Sequence, residues 1–241
     1  MIYLNPTATW HEPLPFTQKD YENFKFKFNA LKEVNKNYSQ CYQDLFVLAA
    51  HNGKRNGTFL EIGAGAPFYG NNTALLSEFG WSGISLEWDE ELCNDWKAVR
   101  PNDNIININA FEFNYYAECK KISKDNHIDY LQLDIDPAVN TYNLLELMPF
   151  DKITFGVITY EHDWYIETSE YRDLSRKFLT DKGYVLIVAN ISPDDDSPYE
   201  DWWIHKDYIN SLNENIKIDI NKHVLFAKDY MIEKPNLSTL K

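Results

Sequence analysis

The chain has 241 residues, 44% of them hydrophobic and 15% aromatic, and a formal net charge of −14. That length and apolar content suit one substantial α/β core, or at most two small domains, and they exclude a disordered chain. The acidity argues against a broad nucleic-acid surface or an anionic membrane, both of which need basic patches, so neither nucleic acid nor membrane is expected as a partner.

Near the N-terminus, Pro6, Pro13 and Pro15 interrupt any helix. The first residues lack a charged, then apolar, signal pattern, and no stretch reaches the about 18 apolar residues of a membrane span. Cys41, Cys93 and Cys119 are far apart and form no CxxC pair. They are expected to be small buried hydrophobes in a reducing, cytoplasmic setting. Tyr21, Phe24, Phe28, Leu31 and Val34 recur at steps of three or four, which predicts an amphipathic helix. Residues 1–38 are therefore expected to form a helical arm, a lid or packing strap on a core made by 39–241.

Ser39 is placed to cap a helix over 40–51, which the turn signals Asn52-Gly53 and Asn56-Gly57 close. Thr58-Phe59-Leu60-Glu61-Ile62-Gly63-Ala64-Gly65 then reads as a buried strand carrying an acid, followed by a glycine turn. Asn72 is the expected N-cap of a helix over 73–79 that stops at Gly80. A second strand covers 83–87 and ends on Glu87. Asp89 opens a helix with Leu92, Trp96 and Val99, stopped by Pro101, and a third strand covers 104–108 before Asn109-Ala110. A helix within 111–122 leads to a fourth strand over 130–133, running into Asp134-Ile135-Asp136-Pro137. Helix 139–148 and a fifth strand over 153–158 lead to Tyr160-Glu161-His162-Asp163. Helix 169–181, a sixth strand over 184–189, a loop over 191–205, a helix over 206–213 and a late strand over 223–227 complete the chain. This alternation predicts an α/β, doubly wound, mostly parallel sheet of seven strands with helices on both faces.

Two cofactor classes use such a glycine turn. A dinucleotide site wants GxGxxG, but here Phe68 stands at the position of the third glycine. Lysine and arginine are absent from Thr58 up to Lys97, so a pyrophosphate would find only backbone donors. Glu61 and Glu87 favour a cationic ligand instead. Glu87, at the end of the second strand, is placed to accept both hydroxyls of a ribose. A nucleoside with ribose hydroxyls, no phosphate and a positive sulfonium is S-adenosylmethionine.

Further residues carry a family likeness. They are Ser39-Gln40-x-x-Gln43-Asp44, Phe59-Leu60-Glu61-Ile62-Gly63-Ala64, Asn72-Thr73, Gly80-Trp81-Ser82-Gly83-Ile84-Ser85-Leu86-Glu87, Asp129-Tyr130-Leu131-Gln132-Leu133-Asp134 and Gly183-Tyr184. Over about residues 39–205 the chain resembles the class I, Rossmann-like methyltransferases of the FkbM type. The resemblance implies S-adenosylmethionine held by Gly63, Ala64 and Gly65, Glu87 on the ribose, and Ala110 with Asn109 near the adenine. It also places Gln40, Asp44, Glu61, Asn72, Thr73 and Asp134 in the cofactor site. It further implies methylation of a hydroxyl oxygen on a sugar, glycan or other small molecule. The family pattern Asp-x-Glu-Gly-x-Glu is here Asp134-Ile135-Asp136-Pro137-Ala138-Val139, which keeps the acidic spacing and loses the glycine and the second glutamate.

Methyl transfer to oxygen needs an in-line approach and a group that removes the hydroxyl proton. His162 is the leading base, because an ordinary imidazole titrates near neutrality. Asp134 is the runner-up, and Glu161 lies beside them in the sequence. A divalent cation such as Mg²⁺ on Asp134, Asp136, Glu161 or Asp163 is chemically sensible but not required by the spacing. Trp202 and Trp203 are expected to pack on the sheet edge or, with Trp164 and Tyr165, to form a platform for a flat acceptor. Two other readings stay open: a non-catalytic cofactor-binding or scaffold protein of this fold, and a nicotinamide-dependent oxidoreductase.

Overall fold

The computed structural model describes residues 17–193, 197–209 and 225–234. The expectations for Pro6, Pro13 and Pro15, for positions 210–213 of the late helix and for 223–224 of the late strand lie outside the described residues.

Apolar runs build the sheet. β1 (Thr58–Ile62), β2 (Ser82–Glu87), β3 (Ile105–Asn107), β4 (His127–Leu133), β5 (Thr154–Glu161), β6 (Tyr184–Ser192), β7 (Glu200–His205) and β8 (Leu225–Phe226) lie in the order β3-β2-β1-β4-β5-β7-β6-β8. Every pairing is parallel except those of β7, which runs antiparallel between β5 and β6. This is a doubly wound, mostly parallel Rossmann-like sheet, with eight strands among the described residues rather than the expected seven.

The helices are α1 (Gln18–Asn23), α2 (Gln43–Ala50), α3 (Ala74–Glu78), α4 (Glu90–Val99), α5 (Tyr115–Ile122), α6 (Ala138–Leu147), α7 (Glu170–Asp181) and α8 (Ala227–Met231). Successive strand side chains point to opposite faces, and each face has its own apolar core. Phe59, Tyr130, Val157 and Trp202 join α2 residues on one side, whereas Leu60, Leu131, Ile158 and Trp203 belong to the other. Adjacent tryptophans are thus what a strand covered on both faces uses. Both are buried, Trp202 with its ring centroid 4.5 Å from that of Phe46. Of the two expectations for Trp202 and Trp203, packing against the sheet is therefore observed and the acceptor platform is corrected.

The expected helix over 21–34 is also corrected. After the short α1 the chain leaves helical geometry, with Phe24 bridged to Ile232 and the Lys25 amide donating to Met231 O at 2.9 Å, and only a 3₁₀ turn, Leu31–Glu33, follows. Phe24, Phe26 and Phe28 are buried while Lys25 and Lys27 face outward, a period of two that reading every third or fourth residue skips. These phenylalanines share one core with α2 and the sheet. Cys41, Cys93 and Cys119 are buried free thiols. Among the described residues no helix is long and apolar enough to cross a membrane.

The strand order reverses between β1 and β4, where β2 and β3 lie to one side and β5 to the other. Ligands of open α/β sheets bind outside the carboxyl ends of strands at such a point. All the predicted acids except Asp44 fall at or beside that edge.

Candidate active site

The turn after β1 is glycine-dependent at one position by contact and at another by conformation. Gly63 has φ +79°, and a Cβ there would lie 1.6 Å from the Asp134 carbonyl oxygen. Gly65 has φ +58° and meets nothing within 4 Å, so its surface is open. The Gly63 and Ala64 amides both donate to Leu86 O, at 3.1 and 3.0 Å. Glu87 faces the same turn, with one carboxylate oxygen accepting the Gly65 amide and the other the Asp89 amide, each at 2.8 Å.

Between these ends lies a cleft of about 510 Å³. Of the predicted residues, Gly63, Gly65, Glu87, Asn109, Ala110 and Asp134 line it, together with Asp136. Asn109 also caps the short 3₁₀ turn 110–112, its side chain accepting the Phe111 amide at 3.0 Å. No lysine or arginine lines the cleft, whereas three carboxylates do. That donor set fits a cationic nucleoside: acceptors for ribose hydroxyls, negative charge for a sulfonium, an open glycine surface, and no phosphate anchor.

Other predicted cofactor residues sit behind the cleft. Glu61 is buried, accepting from Asn71 Nδ2 at 3.1 Å, Thr73 Oγ1 at 2.8 Å and Ser85 Oγ at 2.6 Å. Burial pushes its pKa up to about 7, against the opposing pull of Arg100 and of the Ser85 and Thr73 hydroxyls. Ala64 is buried among Cys93, Trp96 and Ile105. Asn72 is not the helix cap: Thr73 precedes the first turn, and Asn71 Oδ1 accepts the Thr73 and Ala74 amides at 3.0 and 2.8 Å. Asp44 is fully buried, and its carboxylate takes the amides of Tyr38, Ser39 and Leu45 and the Ser39 hydroxyl. It braces the entry to α2, which begins at Gln43 instead of residue 40. Gln40 is half-buried and does not line the cleft. Glu61, Asp44, Gln40, Asn72 and Thr73 thus lie outside the residues that line the cleft.

The candidate bases separate in the same way. Asp134 follows β4 and Glu161 ends β5, and the Glu161 carboxyl is hydrogen-bonded to those of Asp134 and Asp163. Burial raises all three, and the mutual repulsion of the carboxylates adds to it, so the group as a whole keeps a proton to higher pH than separate carboxyls would. His162 is 0% exposed and is not among the residues lining the cleft. Its Nδ1 accepts the Trp164 amide at 3.2 Å and its Nε2 is 3.5 Å from Asp201, while burial lowers its pKa. A neutral, enclosed imidazole is not placed to take a proton from an acceptor in the cleft, which corrects its role as leading base. Among the described residues no group of three or more His, Cys, Asp or Glu is placed to hold a metal ion, so the Mg²⁺ alternative gains no donor geometry.

Several wall residues were not anticipated. Trp88 is 78% exposed beside Glu87, and Phe111 and Ile108 face the same cleft. A tryptophan immediately after the acid that ends a strand was a usable signal. Arg100 was not legible in this way, because it acts on the turn from the far end of α4.

No family model matches the sequence, and no curated protein matches it. Solved structures do resemble the chain. A protein of Clostridium thermocellum described as an rRNA methylase is 14% identical over 71% of this chain and 97% of its own, with a TM-score of 0.47. TrmK of M. capricolum, in complex with S-adenosylhomocysteine, is 15% identical over 62% of each chain at a TM-score of 0.44. Aeropyrum pernix fibrillarin with bound S-adenosylmethionine is 15% identical over 63% of this chain and 67% of its own at 0.42. The expectation of no nucleic-acid partner is corrected by the first of these, a protein of similar fold described by its rRNA substrate; the net charge of −14 says nothing about a local site.

Proposed function

We propose that this chain is an S-adenosylmethionine-dependent methyltransferase that modifies a hydroxyl oxygen of a sugar, glycan or other small molecule. The observation that carries the reading is the cleft at the carboxyl ends of β1, β2 and β4, lined by Glu87, Asp134 and Asp136 with no basic side chain. When bound, the cofactor supplies an electrophilic methyl group: the new O–C bond forms as the C–S bond breaks and sulfur keeps the electron pair. Glu87 is the acceptor for the ribose hydroxyls, the 63–65 turn gives the close approach, and Asn109 with Ala110 borders the base. Asp134 takes the hydroxyl proton, its affinity for it raised by burial, and Glu161 behind it orients the carboxylate through their shared hydrogen bond.

Titration calorimetry with S-adenosylhomocysteine and with NAD tests the cofactor half. Binding of the first and not the second is expected, and the opposite result overturns the reading. Labelled methyl transfer to sugars, glycans, small-molecule alcohols and RNA tests the acceptor half. Asp134→Asn is expected to lower turnover by about 10²-fold or more, the usual contribution of a positioned base. Cofactor binding without transfer to any acceptor supports instead a binding protein of this fold.

A further inference from the structure

The 63–73 segment is irregular backbone, and irregular backbone keeps one shape only where its polar groups have fixed partners. Three of its carbonyls are held by side chains: Ala64 O by Asn71 Nδ2 at 3.1 Å, Gly65 O by Trp96 Nε1 at 2.8 Å and Pro67 O by Arg100 Nη1 at 2.8 Å. Arg100 is 6% exposed and ties these together. Its Nη1 also donates to Asn71 Oδ1 at 2.8 Å, its Nη2 to Thr73 Oγ1 at 3.3 Å and Ser77 Oγ at 3.1 Å, and its Nε to Asp103 at 2.5 Å. The guanidinium lies 3.9 Å from the Trp96 ring centroid. Every N–H direction of the fork is thus spent on the turn, on the start of α3 or on the acid that balances its charge. Beyond it, Asn71 and Thr73 pass the contact on to the buried Glu61 carboxylate.

We propose that Arg100 is the positioning residue of the cofactor site, holding the 63–73 turn in its ligand-receiving shape before any ligand arrives. The proposal rests on the cofactor reading for its ligand but not for its geometry. A lysine offers a point charge without the planar fork, so it cannot hold Pro67 O, Asn71, Thr73 and Ser77 together. A turn that must be ordered at the moment of binding gives up affinity to that ordering.

The test compares wild type with Arg100→Lys and Trp96→Phe, the second removing only the hydrogen bond to Gly65 O and part of the ring. Hydrogen exchange of the unliganded proteins is read peptide by peptide, alongside thermal melting and calorimetry with S-adenosylhomocysteine. The expected result for Arg100→Lys is exchange over 63–73 at least about tenfold faster, β4 and β5 unchanged, and affinity lower by about tenfold or more, the scale of lost hydrogen bonds to a charged group. Trp96→Phe is expected to move both readouts in the same direction and less. Saturating ligand should restore protection of the turn, and Arg100→Ala should regain affinity in sub-denaturing guanidinium, which a generally weakened fold would not. Unchanged exchange over 63–73 in Arg100→Lys, or loss of protection spread evenly over the sheet, overturns the proposal. Failure of the wild type to bind S-adenosylhomocysteine overturns the cofactor reading alone, and the unliganded exchange data still decide for or against Arg100.

Discussion

Gly63 and Gly65 look alike in the sequence and differ in what surrounds them. Alanine at Gly63 would collide with the Asp134 carbonyl as well as adopt positive φ, so Gly63→Ala is expected to destabilise by more than about 2 kcal/mol and to abolish ligand binding. Alanine at Gly65 has open space, and only the left-handed conformation costs, about 1 kcal/mol. Chemical denaturation of the two variants side by side measures the difference, and equal losses would contradict it. Glu87→Gln replaces one of two oxygens that accept the Gly65 and Asp89 amides with an N–H donor. It is expected to weaken S-adenosylhomocysteine binding by about tenfold with a small change in stability, as calorimetry and melting will show. His162 is the reverse case: in His162→Gln the transfer rate should keep its pH dependence while the melting temperature falls, because the ring is sealed behind the site.

Among the elements, β1, β2, the glycine turn and the helix before Pro101 were legible because local chemistry determines them: apolar runs, an Asp89 cap and positive-φ glycines. β7 was not. Glu200 and Asp201 open it, and acids are poor strand formers; they are tolerated here because distant groups satisfy them. Trp202 Nε1 donates to Glu200, and Arg176 on α7 grips Asp201 with two bonds of 2.7 and 2.8 Å. Burial alone would raise Asp201, yet His162 and Arg176 hold it well below the usual carboxylate range. No reading of 191–205 by itself contains Arg176, and the same holds for Arg100 and the glycine turn. Legibility ended where a partner lay across the fold. Arg176→Met leaves the buried Asp201 with the Asn190 amide and His162 but without its guanidinium, so it is expected to destabilise by about 3 kcal/mol, detectable by denaturation and by loosened exchange of β6 and β7.

The molecule as a whole carries an unusual load of buried acid, and this sets its response to pH. Burial raises Glu61 to about 7 and Glu200 to about 8, and raises Asp44, Asp134, Glu161 and Asp163. A carboxyl with a raised pKa is protonated in the folded chain while already ionised in the unfolded one. The folded state then binds more protons, and stability falls as pH rises from about 4 until the folded group itself ionises. For Glu61 and Glu200 that window runs from about pH 4 to about 7 or 8, at up to about 1.4 kcal/mol per pH unit for each group. Asp129 and Asp201 act oppositely. Against the raising effect of burial, their basic partners hold both low, so their stabilisation is present above about pH 4 and lost below it. The melting temperature of the unliganded protein is therefore expected to peak near about pH 4, where the two windows meet, and to decline toward about pH 8, with a shallower decline in Glu200→Gln. A ligand bearing positive charge beside Asp134 favours the ionised acids, and its neutral thioether product does not. The affinity of S-adenosylmethionine relative to S-adenosylhomocysteine should consequently rise between pH 6 and pH 8, a ratio that paired calorimetric titrations measure directly. A ratio that stays flat would mean that the sulfonium does not sense the Asp134 and Glu161 carboxyls.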